Sequence, residues 1–144
     1  MKITSAEDAD METFLAVLGA YLGEIGAETT IDLYVDFAIT EPEPRRLLAE
    51  LRGVARARST NPGRRRKGDL YMAVPLDLAT EEGVIYFSRL AHRTIDCESV
   101  LDNELIFSTV ENERIVCLEL PERQIEVLES KARRAGATTL SRLG

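Results

Sequence analysis

Histidine, cysteine and tryptophan are scarce in this chain of 144 residues, which contains His92, Cys97, Cys117 and no tryptophan. A single histidine excludes metal sites built from several imidazoles. The two cysteines have no CxxC spacing and fall in apolar, strand-like segments. We therefore expect them to be buried apolar side chains, with a disulfide or redox pair as the alternative. We predict no metal and no cofactor.

Long apolar runs are also missing. No stretch approaches the roughly 18 apolar residues that a membrane-spanning helix needs, and the segment Met1–Asp8 lacks the apolar centre of a secretory leader. We therefore expect a cytoplasmic protein that does not engage a membrane. With 44% hydrophobic and 30% charged residues, the composition is typical of a folded domain, and we predict one α+β domain over residues 1–144.

Charge is unevenly distributed along the chain. The net charge is −7, yet residues 45–67 carry nine basic side chains against Glu50 alone, a local charge of +8. The rest of the chain therefore carries −15. Such a division directs the positive segment toward anionic partners, while the acidic remainder repels nucleic acid approaching elsewhere.

Apolar periodicity predicts the first half of the fold. Apolar residues recur at helical spacing over residues 5–26 and 43–58. Strict alternation predicts strands over residues 30–39 and 70–76. A strand, a helix and a strand in this order favour a right-handed crossover between parallel strands. Residues 80–83 are predicted to form a turn.

The second half is predicted to be a ladder of short strands over residues 84–90, 94–100, 104–110 and 114–120. Short polar turns between them favour an antiparallel meander. A last helix begins at Pro121, and residues 137–144 are expected to form a loose tail. The predicted architecture is α+β, with a mixed, mainly antiparallel sheet, two helices on one face and a short C-terminal helix.

Three segments of this ladder carry a family resemblance: Val84-Ile-Tyr-Phe-Ser-Arg-Leu90, Arg93-Thr-Ile-Asp-Cys-Glu98 and Glu113-Arg-Ile-Val-Cys-Leu-Glu-Leu120. They resemble a group of small bacterial β-rich domains of unknown function, whose closing strand follows the pattern G-R-[IV]-[IV]-G-I-E-[IL]. In this chain Glu113 and Cys117 stand where that pattern has glycine. The resemblance implies a β-rich ladder and brings no catalytic residues with it.

The basic segment is the main candidate for a partner-binding or anion-binding site. Its candidate residues are Arg45, Arg52, Arg56, Arg64, Arg65, Arg66 and Lys67. Guanidinium groups make paired hydrogen bonds with phosphates or carboxylates, so either a nucleic acid or an acidic protein surface would suit them. The alternative is a solvated loop that balances the acidic surface around it.

Two tyrosines extend the nucleic-acid hypothesis. Residues 33–38 and 67–72 are similar to the two short motifs of the RNA recognition motif family. That resemblance implies that Tyr34 and Tyr71 stack on bases. Asp32 and Asp36 would repel phosphate on the same face. The alternative is a pair of tyrosines on a partly covered sheet.

Function is thus predicted as one of three kinds. The first is a small regulatory or inhibitory protein that binds a protein partner without catalysis. The second is a nucleic-acid or nucleotide-binding protein that uses the basic loop, Arg64–Lys67. The third and least favoured is an enzyme that uses His92, which lies in a predicted turn where exposure is usual and has no nucleophile beside it in sequence. We assign no catalytic residue, and an unpaired meander edge leaves a homodimer open.

Overall fold

Seven strands and four helices are present in the computed structural model, which describes residues 1–59, 69–111 and 113–144. The elements are β1 (Lys2–Ser5), α1 (Asp8–Glu24), β2 (Glu28–Asp32), α2 (Pro42–Ser59), β3 (Val74–Leu76), α3 (Glu81–Leu90), β4 (Asp96–Leu101), β5 (Glu104–Thr109), β6 (Ile115–Leu118), α4 (Glu122–Arg134) and β7 (Leu140–Leu143). The strands form one sheet in the order β3-β2-β4-β5-β6-β1-β7, and all their pairings are antiparallel. The predicted α+β class is confirmed.

One face of the sheet is apolar and carries the helices. Alternate strand residues such as Ile3, Ile31 and Val116 are buried on this face, as the period of two in a strand requires. The ring of Phe87 on α3 packs against that of Phe107 on β5, with ring centroids 5.2 Å apart. The core therefore lies between the sheet and a single layer of helices.

Helix α1 is the centre of the helical layer, since it packs against both α3 and α4 while α2 packs against α3. The apolar side chains that recur along it at three- and four-residue intervals are fully buried: Met11, Phe14, Leu15, Leu18 and Leu22. This stripe is the periodicity that predicts the helix from sequence.

The opposite face of the sheet is open. One row of paired residues crosses all seven strands there: Pro75, Thr30, Glu98, Ser108, Cys117, Lys2 and Leu143. Each of them is exposed or half-buried.

Both cysteine thiols are free. Cys97 is buried as expected, whereas Cys117 on the open face of the sheet is half-buried. No helix within the described residues is both long and apolar enough to cross a membrane.

Several predicted elements are confirmed. Helices α1, α2 and α4 lie within a few residues of their predicted bounds. The three strands from β4 to β6 form the predicted antiparallel meander. Gly136 follows α4 with a φ of +106°, a conformation that glycine adopts readily at helix ends.

The predicted strand at residues 84–90 is wrong, because this segment belongs to α3. Residues 80–83, predicted as a turn, form the start of the same helix. The hydroxyl of Thr80 caps it by accepting a hydrogen bond of 3.0 Å from the backbone N–H of Gly83. The first segment of the family resemblance is therefore helical in this protein.

The predicted strand at residues 30–39 is too long, since β2 ends at Asp32. Beyond that point the backbone leaves the regular ladder. The N–H of Leu33 donates to the carbonyl of Tyr71 over 2.8 Å, and its carbonyl accepts two hydrogen bonds from Arg52 of 3.0 and 2.7 Å. Phe37, placed on the buried face by alternation, is 74% exposed.

The predicted parallel crossover is also wrong. The strand expected over residues 70–76 consists of Val74–Leu76 alone. It pairs antiparallel with β2, with Val74 opposite Ile31.

Both ends of the described chain form strands that the sequence pattern does not predict. Residues 2–5, of which only Ser5 falls within a predicted element, form β1, and part of the expected loose tail, residues 137–144, forms β7. These two strands pair with each other, and β1 lies between β7 and β6.

Candidate functional site

A polar cavity of about 310 Å³ lies at the end of the sheet where β2 and β1 stop and β4 and β6 begin. Four stretches of chain line it: the first turn of α1, residues 36–41, residues 92–94 and residues 113–114. We call it the His92 cavity. Its ionisable lining residues are Asp8, Asp36, Glu41, Glu113, Arg93, Arg114 and His92.

His92 is buried in the wall of this cavity, so the prediction of an exposed turn residue is wrong. Its side chain is 2% exposed. Burial disfavours the charged ring, and the nearby Arg93 adds repulsion, so the pKa of His92 is lowered from 6.5 to about 4 although Asp8 opposes this shift. The imidazole is therefore neutral near pH 7.

Two buried polar groups of the cavity wall have no hydrogen-bond partner among the described residues: the imidazole of His92, at both ring nitrogens, and the hydroxyl of Thr94. The Nε2 atom of His92 lies 3.4 Å from Oδ1 of Asp8. That approach is close, but its geometry falls short of a hydrogen bond. Buried polar groups in native proteins are almost always paired, so these groups call for a further partner.

The two arginines of the cavity are already neutralised. Nη2 of Arg93 lies 2.7 Å from Glu12, and its Nε lies 3.6 Å from Glu41. Nε of Arg114 lies 3.6 Å from Asp8, and its Nη1 donates to the carbonyl of Ala6 over 2.7 Å. Each guanidinium is therefore paired with a carboxylate of the protein.

Two carboxylates at the cavity mouth, unlike the arginines, have no oppositely charged partner among the described residues. The side chain of Asp36 interacts with the carboxyl of Glu111, and this interaction raises the pKa of Glu111 above its ordinary value. Glu113 is exposed on the same rim. Within the described residues, no cation forms an ion pair with Asp36 or Glu113.

A second depression, the α1–α3 groove, encloses about 600 Å³ and is mainly apolar. Its walls come from Ala20 and Gly23 on α1, Leu78 and Ala79 before α3, and Val84 and Ile85 on α3. A Cβ atom added to Gly23 would lie 2.1 Å from the carbonyl oxygen of Leu78. Glycine at this position therefore lets the segment before α3 lie directly against α1.

The structure brings together four residues that the sequence singles out for partner binding or stacking. The rings of Tyr34 and Tyr71 meet edge to face, with centroids 5.9 Å apart. The guanidinium of Arg52 lies 5.7 Å from the Tyr71 ring centroid, and Nη1 of Arg56 donates to the Tyr71 hydroxyl over 2.8 Å. The Tyr34 hydroxyl donates to Asp69.

These contacts connect α2 to the segment before β3. Besides the Tyr71 contact, Arg52 holds the carbonyl of Leu33 with two hydrogen bonds. Arg45 is exposed on the same helix. Arg64, Arg65, Arg66 and Lys67 lie outside the described residues. The predicted nucleic-acid role of this set stays a prediction.

No sequence pattern marks the His92 cavity or the α1–α3 groove. Each is assembled from segments far apart in the chain, and the groove depends on a helix at residues 81–90 that the sequence predicts as a strand. The one usable signal is His92 itself, the single histidine. Among the described residues, no group of three or more His, Cys, Asp or Glu side chains is arranged to hold a metal ion.

Comparison of the chain with protein-family models, curated proteins and solved structures finds no match. The two family resemblances suggested by sequence therefore stay predictions, and the geometry of the sites carries the functional argument.

Proposed function

We propose that this protein is a non-catalytic regulatory protein that binds a protein partner, and that the α1–α3 groove receives the partner. The observation that supports this proposal is the apolar lining of the groove. Ile85 is 47% exposed there, on a helix whose other face is packed in the core. Concave apolar surfaces of this size are typical of binding sites rather than of ordinary protein surface.

The shape of the groove favours a helix as the occupant. One wall is α1 and the other is the first half of α3, so the depression runs between two helices. An amphipathic helix lays side chains spaced by three and four residues into grooves of this kind. Ala20, which is small, leaves room on the α1 side.

Charge at the rim favours a basic flank on that helix. Glu24 and Glu81 both line the groove, and Glu82 follows directly. Lysine or arginine beside the apolar side chains of the partner would meet these carboxylates, which gives the complex its orientation and its association rate.

The test uses a synthetic amphipathic peptide with leucines at helical spacing and lysines at both ends, titrated against the 15N-labelled protein. We expect shifts in the amide resonances of residues that line the groove. Ile85→Glu should weaken binding by about thirtyfold, roughly 2 kcal/mol, because a charge then faces apolar side chains.

Val127→Glu is the matched control. Val127 also lies on a helix and is 40% exposed, but it is on α4, away from the groove. The proposal fails if the peptide leaves the groove resonances unmoved, or if the two variants weaken binding equally. In extracts of the native host, a partner that binds the wild type and the Val127 variant but not the Ile85 variant would carry the same conclusion.

A further inference from the structure

We propose that the His92 cavity binds a guanidinium or alkylammonium group. The inference concerns a different part of the molecule from the α1–α3 groove and does not depend on the function proposed for that groove. It rests on the buried unpaired groups of the cavity wall and on the charges around them.

The wall of the cavity contains two buried polar groups that lack a partner among the described residues. His92 and Thr94 are both buried, and neither the imidazole nor the hydroxyl has a hydrogen-bond partner within the described residues. A neutral imidazole has one nitrogen that accepts hydrogen bonds, and a hydroxyl oxygen accepts as well. The wall of the cavity thus offers acceptors that a ligand carrying N–H groups can satisfy.

The charges then decide the sign of the ligand. Four carboxylates line the cavity against two arginines, and each arginine is already paired with a carboxylate of the protein. An anion would meet an acidic rim, where the two arginines among the described residues are already paired. A cation would meet Asp36 and Glu113, for which the described residues provide no ion-pair partner.

The mouth of the cavity adds an aromatic contact. Phe37 lines the cavity and is 74% exposed, although the alternation of apolar residues before it predicts that it is buried. Cations are attracted to the faces of aromatic rings, and a guanidinium can stack flat on one. A volume of about 310 Å³ is at the small end of ligand sites, so the bound group is a small molecule or a single side chain.

These two sources of the same chemistry are separated by two probes. Agmatine carries a guanidinium and an ammonium on a free alkyl chain. N-acetyl-arginine amide presents the same guanidinium as an arginine within a peptide would. Binding of the first alone identifies a free amine or guanidine as the ligand, whereas binding of the second at least as tightly identifies a side chain of a protein.

The only histidine serves as the reporter. Its ring gives one set of imidazole NMR signals, which can be followed at pH 7.5, where the ring is neutral. We expect these signals to shift and saturate with one or both cationic probes and to remain unmoved by inorganic phosphate. Asp36→Asn combined with Glu113→Gln should weaken binding about tenfold, because charge-assisted hydrogen bonds are lost.

Both substituted residues are exposed, and the replacements keep their shape, so the variant should fold. Glu104→Gln removes one exposed carboxylate at the start of β5, away from the cavity, and should bind as the wild type does. The proposal is overturned if neither cation moves the ring signals, which would mean that water alone fills the cavity. It is also overturned if phosphate moves them equally, or if the double variant binds as tightly as the Glu104 variant.

Discussion

His92 shows how much a single residue can depend on its surroundings. A histidine in an exposed turn would titrate near its ordinary pKa and change charge in the physiological range. Here the turn that follows α3 places the ring against Asp8 at the start of α1, with Arg93 and Arg114 close by. Burial, together with these two cations, keeps the ring neutral at pH values where most histidines begin to acquire charge.

This burial predicts a pH dependence of stability. The pKa of His92 is lowered from 6.5 to about 4, so between these values the unfolded chain binds a proton that the folded chain does not. The contribution is fully present above pH 6.5 and is lost as the pH falls toward 4. Between pH 7.5 and 5.0 the free energy of unfolding should fall by about 2 kcal/mol from this group.

Urea unfolding of the wild type and of His92→Gln at both pH values isolates this effect, because the glutamine variant keeps every other titrating group. The wild type should lose more stability on acidification than the variant does. Equal losses would show that His92 titrates alike in the folded and unfolded chains.

At the scale of single elements, α3 is the most instructive. Its buried residues include Gly83, Tyr86, Phe87 and Leu90, which lie three and four positions apart on one helical face. Thr80 supplies the cap, and Glu81 and Glu82 occupy the first turn, where acidic side chains favour the positive end of the helix dipole. The β-branched and aromatic residues of the segment favour a strand. The cap and the acidic first turn, together with the packing of a helix against α1, outweigh that preference.

The cap makes α3 testable. Thr80→Ala removes the acceptor of the Gly83 N–H, so the free energy of unfolding should fall by about 1 kcal/mol. Thr80→Ser keeps a hydroxyl in the same place and should recover most of that loss. Chemical denaturation of the three proteins measures both changes, and an alanine variant as stable as the wild type would show that the cap contributes nothing.

Elements with a clear local pattern are predictable from the sequence, whereas α3 is not. Helix α1 has a long stripe at helical spacing, and the strands from β4 to β6 are separated by short polar turns, so local pattern is enough. Segment 84–90 is too short and too apolar for its period to be decided locally. Strand β2 ends at Asp32 because Arg52 and Tyr71 bind the backbone of Leu33, and these contacts come from distant parts of the chain.

The candidate sites were predictable to a smaller extent. Alternation places Tyr34 and Tyr71 on neighbouring strands, and the structure does bring their rings together, although neither residue lies in a strand. The neighbours of His92 come from three other segments of the chain, so its burial cannot be predicted from its local sequence. The α1–α3 groove cannot be predicted from the sequence, because the sequence pattern predicts residues 84–90 as a strand.

For the molecule as a whole, β7 fastens the edge of the sheet. It pairs with β1, and Leu140 at its start is buried. Just before it, Thr139 donates two hydrogen bonds to Asp10 on α1, of 2.9 Å from its N–H and 2.6 Å from its hydroxyl. Arg142 forms ion pairs with Glu122 and the buried Glu129 on α4. One short strand thus connects the sheet to two helices.

Truncation measures the strength of this connection. Removing residues 139–144 should lower the free energy of unfolding by roughly 3 kcal/mol, since the burial of Leu140 and several hydrogen bonds are lost. Removing Gly144 alone should change it by less than about 0.5 kcal/mol. Urea unfolding distinguishes the two, and a truncated protein as stable as the full chain would mean that β7 contributes nothing.

The place of β1 between β6 and β7 has a consequence for the order of folding. Of the strands and helices described, β1 is synthesised first, yet both of its neighbours in the sheet are made more than a hundred residues later. The loops that these pairings close contain more than a hundred residues, and such long-range contacts slow folding. The apolar residue Ile3 therefore lacks its neighbours in the sheet until β6 and β7 have been synthesised.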